Sequence, residues 1–192
     1  MAAMISKTRR ESRPFALAGI ALCGILAGGF LGGTTNAING WVSPTYFVNI
    51  LRWHDVVDVW RASIAQGIFE GLLYGIGFSL LFTIPTGIIT SAACSFRFAF
   101  KHLLGIISGA YAGWVLGGLA AMGLAMLSPE FYRRTFLGVP QELEPMLRYA
   151  WVGGSIWGLE LGALVSVLIG LVVLRANWKR KVTVVESSPC EH

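Results

Sequence analysis

The sequence predicts an all-α integral membrane protein with four transmembrane helices, arranged as two tandem parallel-repeat hairpins with glycine-zipper packing. Composition favours lipid as the surroundings: of 192 residues, 55% are hydrophobic, 13% are charged and 24 are glycine. That balance is too apolar and too poor in charge for a soluble domain of this size. Two further observations are four long apolar runs and a hexapeptide, VSPTYF, that returns 85 positions later as LSPEFY.

The four apolar runs are each long enough to cross a membrane, which takes ~20 helical residues for ~30 Å of hydrocarbon. They cover residues 15–36, 62–84, 103–127 and 149–174. Strands of a membrane barrel would instead alternate apolar and polar residues over ~10-residue segments, and these runs do not alternate. The runs therefore predict four transmembrane helices.

Lysine and arginine predict the orientation. They concentrate in the N-terminal arm, in the link between the second and third spans, and in the C-terminal tail, whereas the other two links balance basic against acidic residues. The positive-inside rule then predicts that both termini lie in the cytoplasm. The membrane is expected to be of the bacterial cytoplasmic type. The formal net charge of +5 is explained by these orientation signals. A nucleic-acid partner is not expected, because the sequence offers no soluble face on which basic and aromatic residues alternate.

The predicted organisation follows from the spans and the charges. It consists of a cytoplasmic basic arm (1–14), a first hairpin (15–90) with an external link at about 37–60, a cytoplasmic link (91–102), a second hairpin (103–175) with an external link at about 128–147, and a cytoplasmic basic tail (176–192). Within the first external link, residues 51–60 show a loosely amphipathic helical pattern. We expect that segment to lie along the membrane interface.

Sliding the chain over itself predicts an internal repeat. At an offset of 85, eight of the 24 positions in 24–47 agree, and at an offset of 87 the next span continues the match. Chance in a glycine-rich chain explains matched glycines, but not a matched Ser-Pro pair or Arg61 against Arg148. Because each two-span unit returns the chain to its starting side, both copies share one orientation, related by an axis along the membrane normal.

The repeated hexapeptide marks the outer end of the first helix of each hairpin. Its serine can cap or start a turn, its proline disfavours helix before it, and its aromatic residues suit the headgroup region. A binding role for these aromatic residues is the alternative. The predicted interface anchors are Ser43, Pro44, Tyr46, Ser128, Pro129 and Tyr132.

Glycine recurs at every fourth position in all four spans. Such a face lets two helix backbones approach closely and gain dispersion contacts, which replace the missing hydrophobic drive in lipid. We therefore predict helix packing through these glycines: Gly24, Gly28, Gly32, Gly67, Gly71, Gly75, Gly109, Gly113, Gly117, Gly154, Gly158 and Gly162.

Two glutamates lie deep in the predicted spans. Glu70 follows Arg61 by nine residues, which places it ~13 Å into its helix, and Glu160 follows Arg148 by twelve residues, or ~18 Å. Gln66 is one turn from Glu70 on a face that also carries glycine, so the carboxyl is expected to point into the bundle. Ionisable groups at such depth are candidates for function by default.

Asn36 and Asn39, three residues apart near the outer end of the first span, complete a set of candidates for an ion or proton pathway with Gln66, Glu70 and Glu160. The alternative is structural: neutral glutamates that hydrogen-bond to neighbouring helices, and asparagines that sit at the wet end of their helix. The second hairpin has apolar residues where the first has these asparagines, so only one hairpin is expected to have a polar outer mouth.

No motif for catalysis, a cofactor or a metal is present in the sequence. There is no nucleophile paired with a base, no phosphate-binding loop and no cysteine pattern of metal-ligand spacing, and His54 with Asp55 and Asp58 is expected to be ordinary surface. We therefore expect no enzyme, no catalytic residue, no cofactor and no metal site.

Two functions fit this pattern. The first is a small polytopic membrane protein that conducts protons or cations, or couples to them, through its intramembrane glutamates. The alternative is a non-catalytic accessory or assembly subunit of a larger membrane complex, which would dock through glycine faces and aromatic links. The expected partners are the lipid bilayer and either further copies of the chain or a larger membrane complex.

Overall fold

The computed structural model describes residues 14–187, and within that range all regular structure is helical. The helices are α1 (Pro14–Val42), α2 (Pro44–Leu51), α3 (Val59–Thr90), α4 (Phe96–Leu127), α5 (Pro129–Thr135) and α6 (Leu143–Ser187). Four of them, α1, α3, α4 and α6, are long and apolar enough to cross a membrane. The predicted all-helical fold with four helices of membrane-spanning length and apolarity is confirmed for the described residues. Most of the predicted basic arm and the last five residues of the tail lie outside the described residues.

The long helices pack as two antiparallel pairs. α1 lies against α3 along most of its length to form the first hairpin, and α4 lies against α6 to form the second hairpin. Contacts between the hairpins are much sparser and run mainly from α1 to α4 and from α3 to α6. We call the end of the bundle that carries α2 and α5 the link end, and the end where α1 begins and α6 finishes the terminal end.

Glycine sets the distance between α1 and α3. A Cβ atom on Gly28 would lie 2.3 Å from the carbonyl oxygen of Gly71 and 2.7 Å from the Cα of Gly75, which is closer than side-chain carbons approach other atoms. On Gly32 it would lie 2.0 Å from the carbonyl oxygen of Gly67. Only glycine fits at these points, and the backbones gain close dispersion contact.

The second hairpin makes contacts of the same kind. A Cβ atom on Gly113 would lie 2.5 Å from the carbonyl oxygen of Gly158 and 2.7 Å from the Cα of Gly162. One on Gly117 would lie 2.4 Å from the carbonyl oxygen of Gly154. The backbones of α4 and α6 are therefore about as close as those of α1 and α3.

A serine separates the outgoing long helix from a short helix in both hairpins. Ser43 has φ −147° and ψ 84°, and Ser128 has φ −147° and ψ 81°, so both residues leave the helical conformation in the same way. α2 and α5 each begin at the following proline, where the missing N–H group costs no helical hydrogen bond. The repeated hexapeptide thus forms the same turn twice.

Residues 51–60 do not form the amphipathic helix that their pattern predicts. α2 ends at Leu51, and Arg52 adopts a left-handed conformation (φ 58°) in which its N–H donates to the carbonyl of Val48. The chain stays non-helical through 58, where the Asp58 side chain accepts a hydrogen bond from the Arg61 N–H at 3.0 Å and caps α3. The helix along this link begins earlier because Pro44 starts it and Arg52 stops it.

An apolar cluster fills the terminal end of the bundle. It joins buried side chains from all four long helices and from the link between α3 and α4: Ile20, Phe82, Cys94, Ala99, Leu103, Ile106, Val167, Leu174 and Trp178. α6 continues past the predicted end of its span, and Trp178 packs its ring 5.6 Å from that of Phe98. The first part of the predicted tail is therefore helical and holds α4 against α6.

Candidate functional site

A cavity of about 260 Å³ lies between the two hairpins. Its wall includes residues of α1, α2, α3, α4 and α6, and the polar side chains among them are Thr35, Asn36, Tyr46, Gln66, Glu70, Tyr74, Ser79 and Glu160. The structure therefore brings both predicted glutamates, Gln66 and one of the two predicted asparagines to a single space.

Glu70 reaches the cavity from α3 and is half-buried. The Gln66 side-chain amide donates a hydrogen bond to its Oε1 atom at 2.7 Å. The two residues are four apart and thus neighbours on one helix face. The amide holds one carboxyl oxygen in place, and no protein donor within residues 14–187 bonds to the other.

Glu160 reaches the same cavity from α6, in the second hairpin. The side chain of Tyr74, from α3, lies beside its carboxyl, so residues of the two hairpins meet across the cavity. The carboxyls of Glu160 and Glu70 are also close enough to interact electrostatically. Tyr74 is not among the residues predicted from the sequence, although its position four residues after Glu70 puts it on the face of Gln66 and Glu70.

Tyr46 covers the link end of the cavity from α2. Burial raises the pKa of its phenol above the usual value of 10.0, and the negative charges of Glu160 and Glu70 raise it further. Its ring packs 4.9 Å from that of Tyr149 on α6. A residue chosen from the sequence as an interface anchor thus lies in the wall of the cavity and touches both hairpins.

The two candidate asparagines have different surroundings. Asn36 is 6% exposed and lines the cavity, and its side-chain amide has no hydrogen-bond partner among the described residues. Asn39 is fully buried outside the cavity wall, and its Oδ1 accepts a hydrogen bond from the Ser155 hydroxyl at 3.1 Å. Asn39 therefore joins the hairpins, whereas Asn36 faces open space.

The terminal end of the cavity is apolar. Phe78, Phe82, Leu103, Ile106 and Val167 form its wall there, and most of them belong to the apolar cluster described above. Ser79, the polar residue nearest to this end, donates its hydroxyl proton to the carbonyl of Ala21 at 2.7 Å. In this conformation the carboxyls therefore face a polar region on the link side and a packed apolar region on the other side.

The remaining predicted site residues lie elsewhere. Ser43, Pro44, Ser128 and Pro129 form the turns at the link end, and Tyr132 is buried in the second hairpin beside Phe136, with ring centroids 4.4 Å apart. All six predicted packing glycines of the first hairpin line the cavity, and none of those of the second hairpin does. Within residues 14–187 no three His, Cys, Asp or Glu side chains are grouped closely enough to share a metal ion.

The chain matches no protein-family model, and no curated protein or solved structure is significantly similar to it.

Proposed function

We propose that the protein is a small membrane component that conducts protons or cations, or couples to their movement, with Glu70 and Glu160 as the groups that take up the ion. The observation that carries this proposal is that carboxyls from two different hairpins line one cavity inside a bundle of membrane-length helices. Ionisable groups at such positions are expensive to keep and typically mark ion or proton paths. Gln66, Tyr74 and Asn36 would assist by holding the carboxyls and the ion.

Movement of one hairpin against the other is part of this proposal. The apolar cluster separates the carboxyls from the terminal end, so an ion in the cavity has no polar path to that end in the present conformation. Contacts within each hairpin are dense and contacts between hairpins are sparse, so the hairpins would move as rigid units. Rocking of one helical repeat against another is a common way to expose a central site to alternate sides.

Flux into liposomes tests the proposal. The variant that combines Glu70→Gln with Glu160→Gln keeps the shape and hydrogen-bonding capacity of both side chains but removes their charge, and we expect it to lower proton or cation flux to the background of empty liposomes. Glu144→Gln is the matched control, because Glu144 is exposed, lies outside the cavity wall and forms an ion pair with Arg148 one turn away. Flux that survives the double substitution in a folded protein would sink the proposal.

The accessory role is the second candidate. Exposed apolar side chains near the link end, among them Trp41, Phe131 and Leu137, support it as a docking surface. The glycine faces support it less, since they are occupied by contacts within each hairpin. Gentle extraction from the native membrane tests it: fixed stoichiometry with larger subunits favours the accessory role, and isolation alone or as a homo-oligomer favours the first proposal.

We also propose that the two hairpins are tandem repeats packed by glycine zippers, with both termini in the cytoplasm. Equivalent glycine contacts in the two hairpins and the matching turns at Ser43 and Ser128 support the repeat. Basic residues at the terminal end, such as Arg97, Lys101 and Arg175, support the orientation. Labelling of single cysteines in α2 and in the link between α3 and α4 by a membrane-impermeant reagent tests it, and only the α2 site should react from outside.

A further inference from the structure

We propose that the cavity binds a small organic cation of the ammonium class, whose charge is neutralised by Glu70 and Glu160, in preference to a bare inorganic cation. This inference rests on the proposed function, because it takes these two carboxyls as the cation-binding groups. It adds the chemical class of the ligand, which the carboxyls alone do not determine.

The size of the cavity is the first argument. Its volume of about 260 Å³ exceeds the ~150 Å³ that is enough for a benzene molecule in an apolar protein cavity. A dehydrated metal ion would leave most of this space empty or filled with water. An ammonium ion that carries several alkyl groups would fill a large part of it.

The arrangement of oxygen atoms is the second argument. Magnesium and calcium require about six to eight oxygen ligands at short distances. The described residues contain no cluster of three acidic or histidine groups, and both cavity carboxyls already hold a neighbour, Gln66 in one case and Tyr74 in the other. An organic ammonium ion needs no complete oxygen shell, because its charge is spread over its alkyl groups and is balanced by nearby carboxylates.

The composition of the wall is the third argument. Tyr46, Phe47, Tyr74 and Phe78 bring aromatic rings to the cavity, and the rest of the wall is largely glycine backbone and aliphatic side chain. Aromatic faces attract a cation that lies within ~6 Å of the ring, and they also bury its alkyl groups. Such a wall suits a cation with an apolar surface and offers a strongly hydrated ion little in return for its lost water.

Asn36 supplies an independent sign of a ligand. The residue is 6% exposed and lines the cavity, and no hydrogen bond joins its side-chain amide to another described residue. Because this amide is open to the cavity, its hydrogen-bonding capacity is met by whatever occupies that space, a ligand or a water. The amide therefore faces the position where a polar group of the cation, or a water molecule bound to the cation, would lie.

Equilibrium dialysis of the purified protein in lipid nanodiscs tests the inference with three probes. Choline carries a quaternary ammonium, 3,3-dimethylbutan-1-ol is its uncharged analogue of the same shape, and potassium is a bare cation. We expect wild-type protein to bind choline, the uncharged analogue to bind at least about tenfold more weakly, and potassium at equal concentration not to displace choline. Glu160→Gln should weaken choline binding by about tenfold or more, and Glu144→Gln should leave it unchanged.

The outcomes separate this inference from the proposed function. If wild-type protein does not retain choline, or binds the uncharged analogue equally well, the ammonium assignment is wrong, whatever the ion flux. If choline is not bound but potassium or proton flux depends on both glutamates, the proposed function stands without it. If choline binding requires Glu160 but the protein shows no flux of any cation, the ammonium site is supported and the proposed transport function is wrong.

Discussion

The first and second hairpins pack their long helices through similar glycine contacts, yet they contribute unequally to the cavity. Gly32 faces the carbonyl of Gly67 in the first hairpin much as Gly117 faces that of Gly154 in the second. All but one of the cavity's polar side chains come from the first hairpin, and Glu160 is the one from the second. The glycine contacts therefore set the helix packing of both hairpins, which we call the frame. The polar side chains, most of which lie in the first hairpin, determine where the site is.

The two short helices differ in the same way. α2 brings Tyr46 over the cavity and against α6 of the other hairpin. α5 instead buries Tyr132 in a small cluster of its own hairpin, with Ala125, Met146 and Ala150. The same turn after Ser43 and Ser128 thus begins two helices with different tasks, since one covers a shared cavity and the other closes a local core.

The largest expected effect tests whether the frames are equivalent. Gly32→Ala and Gly117→Ala should each lower the free energy of unfolding by about 1–3 kcal/mol or more, because the new methyl group would overlap a carbonyl oxygen of the facing helix. Unfolding in mixed detergent micelles, followed by circular dichroism, measures the change. Gly77→Ala and Gly105→Ala are controls, since a Cβ atom at either position meets nothing within 4 Å. A harmless Gly117→Ala beside a harmful Gly32→Ala would show that the two hairpins do not share a frame.

A second experiment distinguishes a contact that only joins the hairpins from one that also serves the site. Tyr74→Phe removes the hydroxyl beside the Glu160 carboxyl, and Tyr111→Phe removes a hydrogen bond to Thr34 that measures 2.7 Å and joins the hairpins. Tyr111→Phe should lower stability by about 1 kcal/mol, and Tyr74→Phe should lower it less, because the Tyr74 side chain is half-exposed. Only Tyr74→Phe should also change cation flux and choline binding. Equal changes in flux for both variants would assign the effect to hairpin docking instead of to Glu160.

A third experiment compares the two asparagines of α1. Asn39→Ala removes the hydrogen bond from Ser155 but also a buried Nδ2 atom that has no partner among the described residues, so these opposing effects should leave the free energy of unfolding within about 1 kcal/mol of wild type, and choline binding should not change. Asn36→Ala should cost less than about 0.5 kcal/mol, since its amide has no partner to lose, and it should weaken choline binding. The same unfolding and dialysis measurements check both variants. If Asn36→Ala leaves choline binding unchanged, Asn36 does not contact the ligand and is a structural residue.

The frame was largely predictable from the sequence because its signals are local. Apolar runs of more than ~20 residues are sufficient to identify the spans. The Ser-Pro pairs mark the ends of α1 and α4, since proline restricts the residue before it. The segment 51–60 was misread because a short amphipathic pattern does not reveal where a helix starts, and here Pro44 and the left-handed Arg52 determine the bounds of α2.

The site was predictable only in part because it depends on how the hairpins dock. The spacing of Gln66 and Glu70 suggests a shared face, and the hydrogen bond between them follows from that spacing. Tyr74 lies four residues after Glu70, so the same spacing could have identified it. Tyr46 enters the site through its contact with the other hairpin, and no spacing along the chain encodes that contact. For the same reason the sequence could not separate Asn36, in the cavity wall, from Asn39, which is buried against Ser155.

The smallest expected effect at neutral pH concerns Tyr132, which occupies the register position of Phe47 in the first hairpin. Both side chains are almost completely buried. Burial raises the pKa of the Tyr132 phenol from 10.0 to about 12, and the nearby phenol of Tyr46 adds to the shift. As pH rises above 10, the unfolded chain releases this proton while the folded protein retains it up to pH of about 12, so the unfolded state gains stability over that interval.

Tyr132→Phe makes this position identical in the two hairpins and removes the titrating group. The variant and the wild type should therefore have similar stability at pH 8, and the wild type should lose more stability than the variant between pH 10 and pH 12. Unfolding titrations at pH 8, 10 and 11 measure the difference, and groups that titrate in both proteins cancel in the comparison. If the stability of the two proteins changes with pH in the same way, the Tyr132 phenol has the same pKa in the folded and unfolded states. Its hydroxyl would then be in contact with water in the folded protein, unlike the buried ring of Phe47 at the equivalent position in α2.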